Sequence, residues 1–223
     1  MLQKTTLQFI KGLAAHNNKP WFEAHRKQYD AAKLDFETFI QSVIDKVGKK
    51  DPDIAALKAK ETIFRINRDI RFSKDKTPYK DNFGAYINKG GRKSIYAGYY
   101  FHCQPGRNFM GGGLWLPQGP EVKKLRQEID YSWEEFKKLV TSKKFRGLYG
   151  DLSRDAESSL STMPKGYEKD NPAADYLKLR SWIALTPNTD TELTSPGLLK
   201  KVTDAFETLQ PVLKFINRSL QTD

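Results

Sequence analysis

Apolar residues along the 223-residue chain recur every three to four positions near both ends and every two in the middle, and this changeover outlines the fold. Leu7, Ile10, Leu13 and Ala14 share one side of a first helix that Thr5 or Thr6 can cap. Asn17-Asn18-Lys19-Pro20 breaks it and starts a second, on which Phe22, His25, Tyr29, Ala32, Phe36, Phe39 or Ile40, Val43 and Val47 form one stripe as far as Gly48. From Ile63 to Phe72 the period becomes two. Phe64, Ile66, Ile70 and Phe72 alternate with Arg65, Asn67, Asp69 and Arg71, which predicts a strand with one buried face and places Arg68 on that face.

Strand-like runs follow at 83–88, 94–104 and 108–116, separated by Asn88-Lys-Gly-Gly-Arg and Pro105-Gly-Arg, both suited to tight turns, so an antiparallel meander is the simplest topology. A helix from Gln118 to about Ile129 is expected next, then another behind the capping-box spacing Ser132-Trp-Glu-Glu135. Tyr149 to Asn171 reads as a surface loop, Asn171-Pro172 as the start of a short helix, and Trp182 to Leu185 as one more strand. Ser195-Pro196 caps a final helix bearing Leu198, Leu199, Val202, Phe206, Leu209, Leu213 and Ile216, with a kink expected at Pro211. Together these elements predict one α+β domain over residues 1–223, a central antiparallel sheet flanked by N-terminal and C-terminal helices.

A hydrophobic content of 38% with 12% aromatic residues is ample for a core. The single Cys103 can form no internal disulfide, the N-terminal stretch lacks a signal peptide's apolar run, and no apolar segment approaches the roughly 18 residues that span a bilayer, so a cytoplasmic protein with no membrane role is expected. Charge narrows the picture further. Lys58 to Lys93 holds 11 Lys/Arg against 4 Asp/Glu, so +7 of the chain's formal +11 comes from 36 residues. A concentration of this kind points to an anionic partner, either a small phosphate- or carboxylate-bearing ligand or, less favoured, nucleic acid.

On the expected strand, Arg65, Asn67, Asp69 and Arg71 form a ladder in which two guanidiniums can hold an oxyanion through bidentate hydrogen bonds while Asp69 orients both. The competing reading is a surface ladder of salt bridges, each contributing about 0–1 kcal/mol. Arg68, directed at the core, needs a buried acceptor or a ligand. In the turn after Ser73, Lys76 and Lys80 supply point charges, Tyr79 a stacking face and Asp75 a carboxylate that can orient Lys76 or Arg71; alternatively Asp75 caps the turn and Tyr79 fills the core.

Arg68-Asp-Ile-Arg-Phe-Ser-Lys-Asp-Lys-Thr-Pro-Tyr-Lys80 closely resembles the signature of a conserved hypothetical protein family, domain of unknown function 2461. Asn17-Asn-Lys-Pro-Trp-Phe-Glu-Ala-His25, Tyr99-Tyr-Phe-His102 and Met110-Gly-Gly-Gly-Leu-Trp115 are similar to that family's pattern too, so the resemblance spans nearly the whole chain. It implies one soluble domain of about this size and carries over no activity, substrate or cofactor.

Tyr100 and His102 share a strand face and can meet the arginine ladder across the sheet, His102 then being a candidate general acid or base. His25 on its apolar stripe reads as a hydrogen-bonded core histidine. Metal-ligand and calcium-loop spacings are missing, and Gly111-Gly-Gly113 is followed by no Lys-Ser/Thr, so it reads as close backbone packing at a strand bulge rather than a phosphate loop. Trp21 and Trp115 are expected in the core. No cofactor is expected and no reaction is named. The leading expectation is a pocket for a small anion built from Arg65, Arg68, Asp69, Arg71, Asp75, Lys76, Tyr79, Lys80, Tyr100 and His102; a nucleic-acid-binding protein, an enzyme acting on a phosphorylated substrate and a purely structural charged strand are the alternatives.

Overall fold

The computed structural model describes residues 1–154 and 159–221, so residues 155–158 of the expected loop lie outside it. Helices α1 (Lys4–Ala15), α2 (Lys19–Ala24), α3 (Arg26–Val47) and α4 (Ala59–Thr62) precede strands β1 (Phe83–Asn88), β2 (Gly98–Cys103) and β3 (Asn108–Leu114). Then come α5 (Gly119–Tyr131), α6 (Trp133–Val140), α7 (Lys143–Tyr149) and α8 (Ala174–Leu177), a last strand β4 (Trp182–Asn188), and α9 (Asp190–Leu193) and α10 (Leu198–Leu220). The fold is α+β, and the sheet is antiparallel throughout in the order β1-β2-β3-β4, so the expected meander gains β4 beside β3. Among the described residues no helix is long and apolar enough to cross a membrane.

One face of the sheet carries the core. Phe36 of α3 packs against Phe83 and Phe101, Phe39 against Phe101, and Phe206 of α10 stacks on Tyr99 at 4.9 Å. The Tyr99 hydroxyl donates to Asp51 Oδ2 at 2.7 Å, which satisfies the one polar atom that this ring carries inside. Burying each such ring contributes roughly 1.5–3 kcal/mol.

Several expected boundaries move, each for a local reason. The second helix is two helices: His25 Nδ1 lies 2.8 Å from Trp21 O, the ring stacks on Trp21 instead of entering the core, and α3 begins afresh at Arg26. Helix α1 starts behind Gln3, because Asp35 of α3 accepts from both Gln3 N (2.9 Å) and Thr6 Oγ1 (2.6 Å) and so caps it from outside. Ser132 makes no cap bond; its hydroxyl donates backward to Glu128 Oε1. Helix α10 begins behind Gly197 with Pro211 inside it, and α8 begins at Ala174.

The largest correction concerns residues 63–72, which are not a strand. Residues 63–68 run antiparallel to 78–85 through scattered bonds only: Phe64 N to Gly84 O, Lys80 N to Ile66 O, and Arg68 N to Pro78 O at 2.9 Å. Pro78 has no N–H to give, and both outward backbone groups of Tyr79 are taken by the side-chain amide of Asn17, at 2.9 and 3.1 Å. A regular ladder therefore cannot propagate, and the two-residue period of the sequence marks an irregular hairpin against the outer edge of β1.

Candidate functional site

The second face of the sheet forms the floor of a groove of about 690 Å³. Strand alternation puts Tyr86, Tyr100, Phe109, Ile183 and Leu185 on this side, opposite the core-facing set. Glycines occupy the positions between them. Gly111 pairs with Tyr100 and Gly98 with Gly113, so the Tyr86 hydroxyl reaches over bare backbone to Gly113 O at 2.9 Å. Gly111, Gly112 and Gly113 have φ of 156°, 155° and 134°, and a Cβ on Gly111 would sit 1.9 Å from Ala184 O. Only glycine fits here. The pairing of β3 continues unbroken through the run, so the close packing expected there is present without a bulge.

Two connections leaving the same end of the sheet wall the groove. Residues 92–96, between β1 and β2, are tied down by Asn88 Nδ2, which donates to Tyr96 O at 2.9 Å. On the other side are residues 114–118 and Glu121 of α5, where Leu116 has φ of 39° and donates its N–H to Ser181 Oγ. A leucine held there costs about 1–3 kcal/mol, and such strain collects at functional sites. The rim is apolar and open: Trp115 is 58% exposed and Ile95 49%, so Trp115 is not the core residue its sequence suggested. Exposed apolar surface gathered around a cavity is the usual mark of a binding groove.

Cations line the β1 side. Lys80 Nζ lies 5.1 Å from the centre of the Phe64 ring, and Arg92 Nη1 donates to Ile63 O at 2.5 Å. Burial holds the Lys80 ammonium below its ordinary pKa, and repulsion from Arg65 and Arg92 lowers it further. Arg65 and Arg92 are thus both near enough to repel Lys80, and none of the three is in an ion pair among the described residues. An anion beside Lys80 would remove that repulsion.

The other cations of the hairpin are spent within it. Arg68 faces not the core but the turn, bonding Asp75 and Thr77, with Ser73 Oγ at 3.4 Å. Arg71 clamps Asp69 with bonds of 3.0 and 2.7 Å, and Lys76 donates to Ile70 O. The N–H of Thr77, with Arg68 and the Thr77 hydroxyl behind it, brings the Asp75 carboxyl to about 2. Tyr79 is buried and stacks on Phe22 at 4.1 Å. Of the ten residues singled out from the sequence, Tyr100 lines the groove, His102 bonds to it, Lys80 lies against the groove residue Phe64, and Arg65 is exposed and close enough to repel Lys80; Arg68, Asp69, Arg71, Asp75 and Lys76 hold the turn, and Tyr79 belongs to the core.

His102 does not meet an arginine ladder. Its Nδ1 lies 3.0 Å from the Tyr100 hydroxyl and its Nε2 3.1 Å from Gln104 Oε1, while Gln104 Nε2 donates to Asp81. Because the Gln104 oxygen accepts, Nε2 carries the proton and Nδ1 accepts from Tyr100. Burial, together with Arg107, keeps this imidazole neutral by lowering its pKa, and burial raises the Tyr100 hydroxyl to about 12. The groove floor thus ends in a tyrosine whose proton direction is fixed.

Sequence reasoning missed Phe64, Tyr86, Arg92, Ile95, Trp115, Leu116 and Glu121 as site residues. A usable signal was there: glycines in phase with aromatics on three consecutive strands reserve empty space above a sheet.

The chain belongs to the conserved hypothetical protein family DUF2461, whose pattern matches residues 5–215, every groove residue included. No curated protein and no solved structure matches the chain.

Proposed function

We propose that the groove binds a small ligand with a flat apolar body and a phosphate or carboxylate, the anion lying against Arg92, Lys80 and Arg65. The observation that carries this reading is the placing of Arg92 in the groove wall and of Lys80 against Phe64, neither in an ion pair among the described residues, beside an open aromatic floor. Each charge-assisted hydrogen bond to an oxyanion is worth about 1.5–3 kcal/mol, and aromatic rings on the floor and rim supply area for the body. The Arg/Lys-rich segment contributes Arg65 and Lys80 to this site, while Arg68 and Arg71 keep the turn in shape.

Calorimetric titration with naphthyl phosphate tests it. Arg92→Ala is expected to weaken binding by about tenfold or more, and Arg71→Ala by less than about twofold. Loss of binding in Arg71→Ala with Arg92→Ala unaffected, or no binding by the wild type, overturns the assignment.

A second reading rests on Phe72, which is 94% exposed between Arg71 and Ser73 at the tip of the hairpin. A ring so placed among cations can stack on a base of single-stranded nucleic acid. A site that follows a polyanion loses affinity with a log-log salt slope of about −0.9 per phosphate on duplex and −0.7 on single strands. The small-ligand reading expects slopes shallower than about −2 with mixed oligonucleotides; one steeper than about −4 favours nucleic acid.

A further inference from the structure

The wall opposite the cations carries a carboxylate with nothing to bind. Glu121 lines the groove from the first turn of α5, its Oε2 is buried without a partner, and its side chain makes no hydrogen bond or ion pair among the described residues. Helix N-terminal charge suits a carboxylate at this position, but a buried acceptor left empty is costly, and a ligand donor would remove the cost. The groove is therefore bipolar, with Arg65, Lys80 and Arg92 beside β1 and Glu121 on the wall beyond β3. Three strand spacings separate β1 from β4, roughly 14 Å, enough for a ring system and a sugar phosphate laid across the sheet.

We infer that the ligand is a purine nucleoside monophosphate of the guanine type. This rests on the groove reading above and adds the identity of the flat body. A carboxylate accepts two parallel N–H bonds, and the guanine edge presents an N–H and an amino group side by side; hypoxanthine presents one donor, and adenine sets a ring acceptor beside its amino group. The ring lies on the Tyr86 and Tyr100 floor against Trp115, and the phosphate takes the three cations. The arrangement asks for no chemistry from the protein, only for recognition at both ends of one molecule.

Calorimetric titration of the full chain with GMP, IMP and AMP, each repeated with Glu121→Gln and Arg92→Ala, decides the matter. Affinity is expected to fall in the order GMP, IMP, AMP, by about tenfold between first and second. Glu121→Gln should cost GMP about tenfold and AMP less than about twofold, whereas Arg92→Ala should weaken all three alike. Equal affinities in the wild type, with the Arg92 dependence intact, sink the guanine assignment and leave the groove reading standing. No binding of any nucleotide, with naphthyl phosphate still held through Arg92, also sinks it. If neither nucleotide nor naphthyl phosphate binds, both readings fall. The wild-type order needs no variant, so a Glu121→Gln protein that fails to fold does not protect the inference.

Discussion

On one face of the sheet Phe83, Ala85, Ile87, Tyr99, Phe101, Met110 and Trp182 are buried, with α3 and α10 packed against it; on the other, Tyr86, Tyr100, Phe109 and Leu185 alternate with Gly84, Gly98, Gly111 and Gly113, and the space above is the groove. The same strands supply both. Filling every second position with bulk makes a core at native packing density, and leaving glycine at the complementary positions keeps a cavity open without weakening that core. The charged hairpin shows the same division. Arg68 and Arg71 close on Asp75 and Asp69 and hold the turn, while Arg65, Lys80 and Arg92 form no ion pair among the described residues.

The glycine run is where the comparison is easiest to break. Gly111→Ala puts a Cβ 1.9 Å from the Ala184 carbonyl at a φ no alanine favours, so a loss above about 4 kcal/mol, or failure to fold, is expected in chemical denaturation. Gly119→Ala, which meets nothing within 4 Å, is the control and should leave stability within about 0.5 kcal/mol. A tolerated Gly111→Ala would mean that β3 is not held by close backbone contact.

Across the two faces, Phe101→Ala should cost about 3–5 kcal/mol, whereas Trp115→Ala, although it removes a larger ring, should cost no more than about 1–2 kcal/mol because more than half of Trp115 is already exposed. Ligand affinity should show the reverse order. Equal stability losses would place Trp115 in the core after all.

The smallest effect is the pH response of His102. Its folded pKa lies below the unfolded value of about 6.5, so the unfolded chain binds more protons in the window between them. Stability from this group is present above pH ~6.5 and falls as pH drops below it, with a slope of at most about 1.4 kcal/mol per pH unit. His102→Phe should flatten that part of the curve measured by denaturation between pH ~7 and ~5. An unchanged slope would show that the imidazole is no more buried than an ordinary histidine.

Much of this architecture was legible in the sequence, because β1, β2, β3 and β4 fall in apolar-rich runs bounded by turn residues, and α3 and α10 carry long apolar stripes. The site was legible only in part. Arg65, Lys80 and Tyr100 stand out by type, but alternation in 63–72 mimics a ladder, since nothing local shows that Asn17, 62 residues upstream of Tyr79, takes the backbone bonds a strand would need. Ile95 and Trp115 belong by sequence to the strand-like runs 94–104 and 108–116, but the strands stop short of them, and their convergence with Arg92 depends on two loops leaving the same end of the sheet.

The most direct test of the groove is an amide and indole chemical-shift titration with naphthyl phosphate. The expected result is a set of saturable shifts at Tyr86, Arg92, Tyr100, Gly113 and the Trp115 indole, with residues 68–76 and Phe101 unmoved. Shifts confined to 68–76, or none at the groove, would contradict the claim that the glycine-lined face is where this protein binds.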